Sequence, residues 1–78
     1  MKAYMKFINN IIKNYGQYGE KRSETEKETL ERHHIKPAIL GGDDSESNII
    51  YLTPAEYQES RYLMAKFLIE SGANLEQN

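Results

Sequence analysis

Four consecutive residues, Thr53-Pro54-Ala55-Glu56, limit the folds open to this 78-residue chain more than any other feature. A threonine before a proline, with a glutamate three positions on, is the pattern of a capped helix start. The hydroxyl can accept from an exposed backbone N–H, the proline loses nothing at the first helical position, and the glutamate closes a capping box. Directly ahead stands Asn48-Ile49-Ile50-Tyr51-Leu52, apolar and β-branched, which reads as a strand. A strand running straight into a helix fixes a β–α junction past the middle of the chain. The helix should extend to about Glu70 or Ser71, with Gly72 as its stop. Leu63, Met64, Phe67, Leu68 and, at the flank, Tyr62 are expected to bury against the strands, and Ala73 to Asn78 read as a frayed end.

Upstream, Tyr4, Phe7, Ile8, Ile11, Ile12 and Tyr15 follow the spacing of one helical face, with Lys6, Asn9, Asn10 and Lys13 on the other. The spacing predicts a helix over 2–15, stopped by Gly16 and Gly19. Residues 20–28, EKRSETEKE, carry charges of both signs without apolar periodicity and read as a solvated linker with at most a frayed helical turn. From Thr29 to Pro37 the chain reads TLERHHIKP. A short strand here should end by Pro37, which cannot donate to a ladder. Gly41-Gly42-Asp43-Asp44-Ser45 has the chemistry of a turn. The expected organisation is a single α+β domain, with an N-terminal helical segment (1–19), a charged linker (20–28), a ββα core (29–71) and a tail (72–78).

At this length a hydrophobic core is only just sufficient to hold a chain together. There is no cysteine, which excludes disulfides and cysteine-type zinc sites. No apolar run reaches the length of a membrane span, and no signal-peptide pattern opens the sequence. The expectation is a soluble protein of the cytoplasm, with no membrane partner. The net charge of −2 is unevenly spread. Residues 1–36 carry eight Lys/Arg against five Glu, whereas residues 37–78 carry two against seven acids. The first half could thus present a basic face to nucleic acid, though charge alone does not demand it.

The ordered set His33-His34-Ile35, Pro37, Gly41-Gly42, Asn48, Leu52-Thr53 and Glu56 resembles the HNH endonucleases, especially their small phage and mobile-element members. The resemblance covers roughly residues 29–69 and implies the ββα-metal, or His-Me finger, fold. It also implies a DNA endonuclease of a bacterial host's cytoplasm, with a possible protein partner in a phage or mobile-element assembly. Phosphodiester hydrolysis needs a base for water and positive charge for the phosphate, and histidine suits the first task near neutral pH. Carried over from the family, His33 is the ligand of a divalent metal (Mg, Mn, Ni or Zn), His34 the general base, and Asn48 the residue that pins the loop and supports the base. In an ideal strand, however, adjacent histidines point to opposite faces, so a shared site requires the strand to twist or end there.

The sequence departs from the family on the helix. Metal-binding histidines commonly stand nine and thirteen positions after the Asn, where this chain has Tyr57 and Arg61. They share a helical face, but neutral tyrosine is a poor ligand and guanidinium has no lone pair to offer. Three readings follow: a weak metal site completed by water and substrate phosphate, replacement of the metal by Arg61, or a fold that binds nucleic acid or protein without cutting. Arg61 as a solvent-facing residue paired with Glu31 is the plain structural alternative.

Overall fold

A computed structural model describes residues 1–72. Its order is α1 (Lys2–Tyr15), a single-turn α2 (Glu24–Lys27), β1 (Glu31–His34), two 3-10 turns (Ala38–Leu40 and Glu46–Asn48), β2 (Ile49–Leu52) and α3 (Pro54–Glu70). The α+β architecture is the one expected: a helix followed by a ββα unit. The tail at 73–78 lies outside the described residues.

The two strands pair antiparallel, with His33 opposite Ile50 and His34 opposite Ile49. Directly paired residues share a face of the sheet, so Ile50 and Leu52 look one way with His33, and Ile49 and Tyr51 look the other way. Tyr4, Ile8 and Ile11 of α1 meet Ile50 and Leu52 in the core, with Leu63 and Met64 of α3 packed at its side. Truncating a side chain as deeply buried as Ile8 costs about 2–5 kcal/mol. Ile49 is fully buried on the opposite face. The segment after α1 covers that face: Tyr18 meets Tyr51 edge-on, with ring centroids 6.1 Å apart. Gln17 borders β2, its carbonyl accepting from the Tyr51 N–H at 3.0 Å and its side-chain amide donating to the Ile49 carbonyl at 2.8 Å. A continuous apolar strand is what a sheet covered on both faces requires.

The capping box forms as the sequence predicts. Thr53 Oγ1 accepts from the Glu56 N–H at 3.2 Å, and a Glu56 carboxylate oxygen accepts from the Thr53 N–H at 3.0 Å. The same carboxylate has a second partner. Arg22 Nη2 reaches its two oxygens at 2.6 and 2.7 Å, while the guanidinium lies 3.9 Å over the Tyr15 ring. Most of the 20–28 segment is exposed, as expected of a solvated linker, but Arg22 is 6% exposed and departs from that expectation. Its planar head finds an aromatic face and a carboxylate together, while its buried Nε has no hydrogen-bond partner among the described residues.

The first strand is short and ends before Pro37, as expected, and the turn at Ala38–Leu40 follows it. Two further expectations are corrected. Tyr62 is 61% exposed rather than buried, and Ile69 is equally open. Beyond its first turns α3 packs on α1 through Leu63 and Met64, and that flank has no covering element among the described residues. Glu31 lies by His33 rather than by Arg61, its Oε1 3.7 Å from the imidazole Nε2.

Candidate functional site

The strand ends at His34, and there the two histidines part company. His33 sits on the core face, half-buried, its ring stacked on Tyr57 of α3 at 3.9 Å between centroids and 11° between planes. Its Nε2 has neither solvent contact nor a hydrogen-bond partner. Burial holds its imidazole below the ordinary value of 6.5; the Glu31 carboxylate opposes this shift and His34 adds to it. With the ring neutral at pH 7, the 3.7 Å approach to Glu31 is not an ion pair.

His34 is exposed, and its Nε2–H donates to Asp44 Oδ1 at 2.6 Å. In a neutral imidazole that bond leaves Nδ1 as the nitrogen carrying the free lone pair. Asp44 was not singled out by its sequence position. It is one of two adjacent acids in a turn, and only the folded loop shows which of them turns back to the strand. Its neighbour Asp43 instead accepts from the Ser45 N–H and hydroxyl at 3.1 and 2.6 Å, which keeps its carboxyl below the usual range.

The loop between the strands is closed by Asn48. Its side-chain oxygen accepts from the Lys36 N–H at 2.8 Å, and its amide donates to the carbonyls of Lys36 at 3.0 Å and Asp43 at 2.7 Å. One asparagine thus ties both ends of the loop that carries Asp44, without touching His34 itself. Gly42 lets the chain pass close to Lys36: a Cβ there would stand 1.7 Å from the Lys36 carbonyl oxygen. Gly41 adopts a left-handed φ of 90°, which a glycine takes at no steric cost.

A cleft of about 230 Å³ opens beside this loop. It is lined by His34 and Pro37, by Tyr57, Ser60, Arg61, Met64, Ala65 and Leu68 of α3, and by Tyr4 of α1. The Tyr4 hydroxyl donates to the Ile35 carbonyl at 2.6 Å and fixes α1 to the end of β1. His34, Tyr57 and Arg61 therefore share one cavity, whereas His33 lies behind Tyr57 on the core side. The exposed Arg61 guanidinium is 5.8 Å from the Tyr57 ring. The Tyr4 and Ser60 hydroxyls are given to the carbonyls of Ile35 and Tyr57, so the imidazole of His34 and the guanidinium of Arg61 are the groups this solvent-open space can offer to a phosphate ester.

These donors do not fit a resident metal ion. Among the described residues no three of His, Cys, Asp and Glu converge. Near the buried Nε2 of His33 stand Glu31 at 3.7 Å and the face of Tyr57, and among the described residues it has no hydrogen-bond partner. A resident zinc-type ion takes three or four ligands from the chain, whereas Mg²⁺ held by fewer relies on waters and substrate phosphates for the rest of its shell. No helix among the described residues is long and apolar enough to cross a membrane.

No family model matches the chain, and no solved structure matches it. Over 67 residues it is 36% identical to a protein of Enterobacteria phage T4 named "Probable mobile endonuclease D"; the match covers 81% of this chain and 24% of that protein. The chain thus spans about a quarter of that relative's length.

Proposed function

We propose that this domain is an HNH-type nuclease unit that hydrolyses DNA phosphodiester bonds in the cleft between His34 and Arg61. The observation that carries this reading is the convergence of the two side chains on one open cavity, with Asp44 holding the imidazole by Nε2. The likeness to a phage endonuclease supports the reaction class.

Water attacks phosphorus, the bond to the leaving sugar oxygen breaks, and Nδ1 of His34 takes the water's proton. The leaving oxygen collects a proton from solvent. Charge building on the phosphate oxygens is met by the Arg61 guanidinium, whose fork matches their geometry. Asn48 acts through the loop, keeping Asp44 where it can orient the base. His33 and Glu31 are too few to hold a divalent ion. The metal that the resemblance implies is proposed only as one arriving with the substrate phosphate.

A second reading is favoured by the packing of Tyr57 across His33, which covers the histidine that the resemblance makes the metal ligand. On that reading the domain binds nucleic acid without cutting. Nicking of supercoiled plasmid separates the two. Wild type should nick, His34→Ala should lose about 10²–10⁴-fold of the rate, and Arg61→Ala should fall sharply. Activity that persists in chelator assigns the charge to Arg61, whereas activity restored only by added Mg²⁺ assigns it to a substrate-borne ion. A wild-type protein that never nicks sinks the nuclease reading.

A further inference from the structure

The first helix, outside the resemblance, has an outer face that the proposed chemistry does not use. Lys2, Lys6, Asn9 and Lys13 are all exposed and fall within about 60° of one another around α1. Asn10 flanks the same stripe. Residues 1–19 contain three lysines and no aspartate or glutamate, a stretch free of the acids that punctuate the rest of the chain. The arginines of the first half are engaged: Arg22 with Glu56, and Arg32 with Glu46 at 3.7 Å. None of the three lysines makes an ion pair among the described residues. Glu70 lines a shallow hollow together with Lys2 at the stripe's N-terminal end, without forming an ion pair with it.

We infer that this lysine stripe on α1 is the surface that grips the sugar–phosphate backbone of duplex DNA. The inference rests on the nuclease reading and adds the place where substrate is held. Three unpaired ammonium groups along one side of a helix about 21 Å long offer contacts to successive phosphates. Asn9 and Asn10 add hydrogen-bonding groups that no acid repels. A membrane surface fits less well, because the apolar face of α1 is already spent on the core through Tyr4, Ile8 and Ile11, and nothing is left to enter a bilayer. The grip is rigidly coupled to the cleft, since Tyr4 lies between Lys2 and Lys6 and its hydroxyl anchors Ile35.

The test is the salt dependence of binding to a short labelled duplex, read by fluorescence anisotropy in chelator. The wild type is compared with the Lys2→Gln/Lys6→Gln/Lys13→Gln triple variant, Lys6→Gln alone and Lys27→Gln, an exposed lysine outside α1. Each lost phosphate contact lowers the slope of log K against log salt by about 0.9, so the triple variant should lose up to about 2.7 and the single about 0.9. Lys27→Gln should keep the wild-type slope. Circular dichroism and melting temperature should be unchanged in the lysine variants, whose side chains are exposed. A folded triple variant with the wild-type slope overturns the inference, as does a wild-type protein that binds no duplex. Lysine-dependent binding to anionic phospholipid vesicles with lysine-independent binding to DNA overturns it too. Plasmid nicking, measured in parallel, judges the nuclease reading separately: nicking with an unchanged slope fails only the stripe, and a reduced slope without nicking fails only the chemistry.

Discussion

Two connecting segments, the charge-rich 20–30 before the first strand and the glycine-containing 36–48 after it, are held in opposite ways. The first is bolted to the body of the protein by one side chain: Arg22 enters the structure, lies on Tyr15 and takes both oxygens of Glu56. The second sends no charged side chain inward. It is closed by backbone groups gathered onto Asn48, and its charged side chains stay in water except where Asp44 turns to His34. The difference separates stability from function. The Arg22 anchor joins α1, the linker and the start of α3, so its loss threatens the whole fold. The Asn48 clamp holds only the loop, so its loss should be felt at the cleft first.

The largest stability effect is therefore expected at Arg22. Arg22→Ala leaves Glu56 without its partner and opens a gap beside Tyr15. Removing one member of a buried pair costs about 3–5 kcal/mol, and the lower end applies because Glu56 keeps some solvent and its bond to the Thr53 N–H. A melting temperature within a degree or two of wild type would show that the anchor is ornamental and would erase the contrast between the segments.

Asn48→Ala comes next. It removes three hydrogen bonds at the edge of the protein, each with a net worth of about 0.5–1.5 kcal/mol. The loss should fall on the loop rather than the fold. Amide exchange at Lys36 should accelerate and plasmid nicking should drop, with a smaller change in melting temperature than Arg22→Ala gives. Equal loss of both would mean that the loop is as much a part of the core as the linker.

The smallest effect concerns the strand between them. Because burial depresses the His33 pKa, the unfolded chain binds a proton at a pH where the folded chain does not. Stability from neutral His33 is complete above the unfolded value of 6.5 and is lost as pH falls through the depressed folded value. Denaturant midpoints should fall between neutral and mildly acidic pH, and His33→Phe, which keeps a ring against Tyr57, should flatten that part of the profile. A wild-type profile with no fall in that range would show that His33 is not held as the stack implies.

Much of the frame was legible because it rests on local chemistry. Thr53 and Glu56 meet within a single turn, the run from Ile49 to Leu52 has only one kind of place to go, and the α1 stripe repeats at helical spacing. The parts that could not be read depend on which of several similar residues meets a distant partner. Arg22 is one cation in a charged run, and only the packing of α1 against the start of α3 selects it over Lys21. Asp44 and Asp43 differ by one place, and the loop's path decides which meets His34. The divergence of the two histidines was legible as a strand geometry, but the ring that would cover His33 was not. Tyr57 stood out as a missing ligand rather than as a stacking partner.

Gln17 has a consequence of its own. A two-stranded sheet normally offers both of its margins to any extended peptide nearby, and such margins invite strand-by-strand assembly. Here one margin is already filled by the glutamine's carbonyl and amide. Growth is left only alongside Glu31 and Arg32, where the exposed charges discourage a neighbour. A unit sealed in this way can sit in a longer polypeptide, or be synthesised at high concentration, with little tendency to zip onto its copies.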